Sequence, residues 1–114
     1  MAQEKTFERK VRAYIEEQHG WVVKYFANRM TKVGIPDLLA CVNGVFLAIE
    51  VKAEKGKASE LQLYNIEEIR KAGGVAIVLY PHQFREFKEM ITEIKARKPY
   101  ICEPQYLFDG EVRT

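Results

Sequence analysis

Residues 37–52 read DLLACVNGVFLAIEVK, and the Asn43-Gly44 pair at their centre turns the chain back on itself. Asn-Gly is the strongest short hairpin signal, because a type I′ turn needs positive φ at both central residues. A two-residue turn sets Val42 opposite Val45. Counting outward from that pair sets Asp37 opposite Glu50. Side chains alternate along a strand, so Lys52 shares the face of Glu50. The other face carries Leu38, Ala40, Val42, Val45, Leu47, Ile49 and Val51. It is wholly apolar and has to pack into a core. A slip of one residue would expose that whole row, so the pattern specifies the register strongly.

The segments on either side complete the outline. From about Thr6 to His19, Phe7, Val11, Tyr14, Ile15 and Gln18 recur at helical spacing, and Gly20 can end the helix. Trp21–Phe26 is rich in β-branched and aromatic residues and reads as a strand. Ala27–Gly34 is polar and basic and reads as a loop. Beyond the hairpin, Glu54–Ala58 is a charged loop. Ser59 then suits the N-cap of a helix running to about Ala72, closed by Gly73-Gly74. Val75–Tyr80 is apolar without alternation, the pattern of a strand buried on both faces. A third helix is expected from about Gln83 to Arg97, with Phe84, Phe87, Ile91 and Ile94 as its stripe. Tyr100–Phe108 is expected to add a last short strand. The order α-β-β-β-α-β-α predicts an α/β fold, a mixed sheet flanked by helices. The helix before the fourth strand serves as a parallel crossover.

The 114 residues suit one domain spanning 1–114, with no room for a separate recognition module. Hydrophobic content of 47% and charged content of 30% are ordinary for a globular protein, and a net charge of +2 permits nucleic-acid binding without demanding it. No apolar run reaches the roughly 18 residues of a membrane span, and Met1–Lys10 lacks a signal-peptide core. An intracellular, cytoplasmic protein with no membrane partner is expected. Cys41 and Cys102 lack metal-binding spacing and read as reduced structural thiols. His19 and His82 form no zinc-hydrolase motif. The lack of a Gly-rich phosphate loop argues against a nucleotide cofactor.

Asp37 and Glu50 facing each other across a hairpin repel. At ~5 Å and an effective dielectric of about 20 the cost is roughly 3 kcal/mol. A proton, Lys52 or a cation has to compensate. A hard divalent cation does so best, since Mg²⁺ takes one or two carboxylates and fills its other positions with water and phosphate oxygens. The plainer alternative makes Glu50 and Lys52 solvated residues of an edge strand. Two details oppose it. Pro36 fixes the chain just before Asp37, and the Glu50 face also carries Leu39, Cys41, Phe46 and Ala48, so it is half-covered.

Pro36-Asp37, followed after twelve residues by Glu50-Val51-Lys52, resembles the PD-(D/E)xK nuclease superfamily. Gly34-Ile35-Pro36-Asp37, Ile49-Glu50-Val51-Lys52 and the downstream Gln62 resemble its VRR-NUC family, in the small stand-alone form of phages and bacteria. The resemblance covers roughly Phe7 to Tyr80. It implies a restriction-endonuclease-like α/β/α core and Mg²⁺ or Mn²⁺. It implies metal contacts from Asp37, Glu50 and the carbonyl of Val51, with Lys52 catalytic. It also implies a homodimer acting on branched DNA, four-way junctions included.

Two further residues are candidates for the same site. Glu8 shares a helix face with Val11 and Ile15, on the helix where the superfamily often places a metal-linked glutamate; otherwise it is a solvated charge. Gln62 shares a face with Ile66 and Ile69. It also completes a Ser59-x-x-Gln62 capping box, and the two roles compete for one amide. Lys24, Arg29, Lys32, Lys55 and Lys57 flank the motif and are candidate phosphate contacts. Tyr14, Tyr25 and Tyr64 read as core or core-edge residues. The expected function is metal-dependent hydrolysis of DNA, selective for backbone shape. A sequence-specific restriction-type nuclease and a non-catalytic binding module are the alternatives. The apolar tail Tyr100–Phe108 is a candidate dimer contact.

Overall fold

The computed structural model describes residues 2–26 and 33–100. Arg29, Lys32, Cys102 and the tail beyond Tyr100 lie outside that range, and with them the expected last strand. The elements are α1 (Ala2–Glu17), β1 (Trp21–Lys24), β2 (Leu38–Val42), β3 (Val45–Val51), α2 (Glu60–Lys71), β4 (Val75–Leu79) and α3 (Phe84–Ala96), with a 3₁₀ turn at Pro81–Gln83 before α3. They form a mixed α/β fold with one four-stranded sheet, in the order β1-β2-β3-β4. β1 pairs antiparallel with β2, β2 antiparallel with β3, and β3 parallel with β4.

The hairpin has the expected register, Val42 against Val45 and Leu38 against Ile49. Asn43 and Gly44 hold φ of 50° and 82°, as the turn requires. Asn43 does more than turn the chain. Its Nδ2 donates to the carbonyls of Ile94 and Arg97 at 2.9 Å each, satisfying the C-terminal end of α3. One face of the sheet packs on α1 and α3 in a core that includes Val11, Ile15, Leu38, Leu47, Ile49 and Ile91, each at 0% exposure. The other face is covered by α2 over Ala48, Ala76 and Val78. On that face Trp21, Cys41 and Phe46 are exposed.

β4 pairs in parallel with β3 alone, as the crossover helix predicts, and forms an edge of the sheet, with β2 and β3 as its inner strands. The apolar run of β4 is explained by helices on both sides, with Leu79 in the α1/α3 core and Ala76 under α2. Two expectations change. Cys41 is an exposed free thiol rather than a structural one. Tyr64 points outward at 57% exposure, whereas Tyr14 packs against the core and Tyr25 is half-buried.

Candidate active site

Asp37 lies one position before β2, so the register places it across from Glu50. Two features hold it there. The backbone N–H of Tyr25 donates to the Asp37 carbonyl at 2.7 Å, extending the β1–β2 ladder. The Val51 N–H donates to Asp37 Oδ2 at 3.1 Å. The preceding residue, Pro36, is fully buried and fixes φ at the entrance.

Glu50 is 2% exposed, on the inner strand β3 and beneath α2. Its Oε2 accepts from Gln62 Nε2 at 2.9 Å and lies 3.2 Å from Lys52 Nζ. Its Oε1 is buried with no hydrogen-bond partner. Burial first, and the neighbouring Asp37 carboxylate second, push the Glu50 pKa up to about 7, against the pull of Lys52. A buried carboxylate oxygen lacking a donor is costly. Beside a second carboxylate, that orphaned oxygen fits a site built to receive a cation.

Gln62 caps α2 and reaches Glu50 at the same time. Its N–H donates to Ser59 Oγ at 3.1 Å, and its Oε1 accepts from the Ser59 N–H at 2.8 Å. That is a complete capping box. The cap uses the amide oxygen and Glu50 uses the amide nitrogen, so the roles do not compete.

Glu8 is buried at 7% exposure and its Oε1 is 2.7 Å from Lys24 Nζ. Among the described residues no three metal-ligating side chains gather into one cluster. Lys24 is committed to Glu8 and lies over the Phe26 ring. Lys55 and Lys57 are exposed on the turn that follows Lys52. Sequence reading did not single out Asn65. It is 4% exposed, and its Nδ2 donates to the carbonyls of Gly34 and Leu61 at 3.1 and 3.0 Å. It thereby ties α2 to the segment leading into Asp37. The signal was present, a polar residue three positions after Gln62 on an apolar helix face.

The profile of the archaeal Holliday junction resolvase (Hjc) family matches residues 2–83. The chain belongs to this family. No curated protein and no solved structure matches the chain. The matched span contains Glu8, Asp37, Glu50, Lys52 and Gln62 and stops just before α3. Hjc proteins are PD-(D/E)xK nucleases, so the superfamily expected from Pro36-Asp37 and Glu50-Val51-Lys52 is the one found.

Proposed function

We propose that this Hjc-family chain is a divalent-metal-dependent endodeoxyribonuclease that resolves four-way DNA junctions as a homodimer inside the cell. The observation that carries the reading is the buried Glu50 carboxylate, one oxygen orphaned, with Lys52 at 3.2 Å on the other oxygen and Asp37 beside it. A carboxylate pair of this kind suits Mg²⁺ or Mn²⁺. Asp37, Glu50 and the Val51 carbonyl would hold the ion, with Glu8 joining them on release from Lys24. The ion would supply Lewis acidity at the scissile phosphate and offset its negative charge.

In the reaction the water oxygen bonds to phosphorus, one P–O ester bond breaks, and a proton from the water ends on the departing oxygen as a hydroxyl. Lys52 holds its ammonium at the edge of Glu50, where it orients the attacking water or donates to a phosphate oxygen as charge develops. Gln62 and Lys52 both engage Glu50 Oε2, which would leave Oε1 free to take a cation. Lys55 and Lys57 contact the DNA backbone beyond the cut, and Arg29 and Lys32 are assigned the same task. Such contacts read backbone geometry, not base sequence. A four-way junction needs two symmetric cuts and each protomer carries one site, so a twofold dimer meets the requirement. Gly34–Asp37, Glu50-Val51-Lys52 and Gln62 also support a place near the VRR-NUC nucleases.

The test is incubation with labelled four-way, flap, linear duplex and single-stranded DNA, in Mg²⁺, Mn²⁺ or chelator. Symmetric metal-dependent cuts at junctions of any sequence are expected. Lys52→Ala is expected to lower the cleavage rate by roughly 10²–10³-fold while still binding junctions. Full activity of that variant would refute the role given to Lys52.

A further inference from the structure

We propose that Tyr80 is a positioning residue for the Lys52 ammonium, acting through the turn at Gly56. The inference rests on the reading that Lys52 serves the cut. A lysine head rides on a flexible four-carbon stem, and a misplacement of about 1 Å at a reacting centre can cost 10²-fold in rate. Something has to hold the stem. The Lys52 side chain is 14% exposed. Its backbone is fixed by the parallel ladder, where the Lys52 N–H donates to the Leu79 carbonyl at 3.0 Å. Beyond Lys52 the chain turns sharply, and the Gly56 N–H donates to the Ala53 carbonyl at 2.9 Å.

That turn carries Gly56 alongside the lysine stem, with only the space of a side chain between them. A Cβ built on Gly56 would stand 3.4 Å from Lys52 Cδ and 3.5 Å from Lys52 Cβ. The residue after the Leu79 anchor closes the arrangement, since the Tyr80 hydroxyl donates to the Gly56 carbonyl at 2.9 Å. The end of β4 therefore bears on Lys52 twice, at its backbone through the Leu79 carbonyl and beside its stem through the Tyr80 bond that fixes the Gly56 turn. The outer side of the turn is steadied separately. Glu54 Oε1 lies 2.6 Å from His82 Nδ1, and the Glu54 N–H donates to Gln3 Oε1 at 3.0 Å. His82 and Glu54 are exposed, and an exposed pair of this kind is weak. The Tyr80 bond instead fixes the turn residue whose missing side chain would meet the stem, so it sets the wall beside Lys52.

Tyr80→Phe keeps the ring and removes the hydroxyl. In the metal-free protein, NMR order parameters of the Lys52 Cε group are expected to fall toward those of exposed Lys71. In single-turnover cleavage of a four-way junction with Mg²⁺, the rate is expected to drop about tenfold, with junction affinity within twofold and the melting midpoint within a few degrees. In a Lys52→Ala background, Tyr80→Phe is expected to cause no further loss, because the two changes remove one function. Unchanged Lys52 mobility in Tyr80→Phe would overturn the proposal, as would an equal loss of rate in the Lys52→Ala background. Full cleavage by Lys52→Ala alone would remove instead the role assigned to Lys52. The NMR comparison would still decide whether Tyr80 holds the side chain.

Discussion

Gln62 donates its amide Nε2 to Glu50 Oε2 at 2.9 Å, and the direction of that bond is set by the helix cap. Because the Ser59 N–H occupies Gln62 Oε1 at 2.8 Å, flipping the amide would break the cap and turn an oxygen toward the Glu50 carboxylate. The N-terminus of α2 thus orients a site residue on β3 through one planar group. Gln62→Ala is expected to lose both contacts. Cleavage should fall about 10–100-fold, the range seen when a partner of a metal ligand is removed. Stability should fall by only about 1 kcal/mol, measured by urea unfolding.

Glu50 makes metal-free stability depend on pH in an identifiable direction. Its native pKa is raised from 4.5 to about 7, so between those values the folded chain holds a proton that the unfolded chain has lost. Rising pH therefore favours unfolding across that window. The contribution present below the lower value is gone above the upper one, about 3 kcal/mol in all. Thermal melts in chelator, wild type against Glu50→Gln, should show the variant gaining on the wild type as pH rises from 4.5 to 7. Mg²⁺ should restore wild-type stability at pH 8 and leave Glu50→Gln unchanged.

Gly34 holds φ of +80° with its backbone pressed on α2. A Cβ there would stand 2.5 Å from Leu61 Cγ and 2.9 Å from Asn65 Nδ2. Gly34→Ala combines a strained backbone with a clash at the segment that delivers Asp37. A loss of roughly 1–3 kcal/mol is expected from the backbone alone. Divalent-cation affinity, read by calorimetry, should weaken with it. Equal Mn²⁺ affinity in the variant and the wild type would show that the segment does not set Asp37.

Lys55 and Lys57 can be weighed through salt. If each neutralises one phosphate, Lys55→Ala and Lys57→Ala should each flatten the plot of log affinity against log salt by about one unit. The effect should be the same for junctions of different sequence. Variants that weaken binding with an unchanged slope would remove these lysines from the interface.

Much of this arrangement could be read from the chain. Asn43-Gly44 and the uninterrupted apolar face fixed the hairpin register, and that register carried Asp37, Glu50 and Lys52 to one side of the sheet. Local rules sufficed because the turn and both strands are contiguous. The parallel pairing of β4 with β3 was legible too, because the helix between them acts as a crossover and the run Val75–Leu79 has apolar residues for both faces. The dual use of Gln62 was hidden because spacing identifies a residue, not which end of its amide faces which partner. Asn65 was missed because its partner, the Gly34 carbonyl, belongs to a segment 31 positions away with no regular structure.

The parallel pairing of β3 with β4 has a consequence for the newborn chain. The Asp37–Glu50 hairpin can close within microseconds, because its contacts are local. The residues that bury Glu50 and grip Lys52 come from α2 and from the strand ending at Leu79, and a parallel crossover closes more slowly. A ribosome that has delivered only the first fifty-odd residues has made both acids and the lysine, with Asp37 tied to Tyr25 and Val51 but Glu50 and Lys52 still lacking Gln62 and Leu79. On the proposed reading the centre would be complete only after the chain has emerged through Tyr80, so partly made copies would pose little hazard to the cell's own DNA.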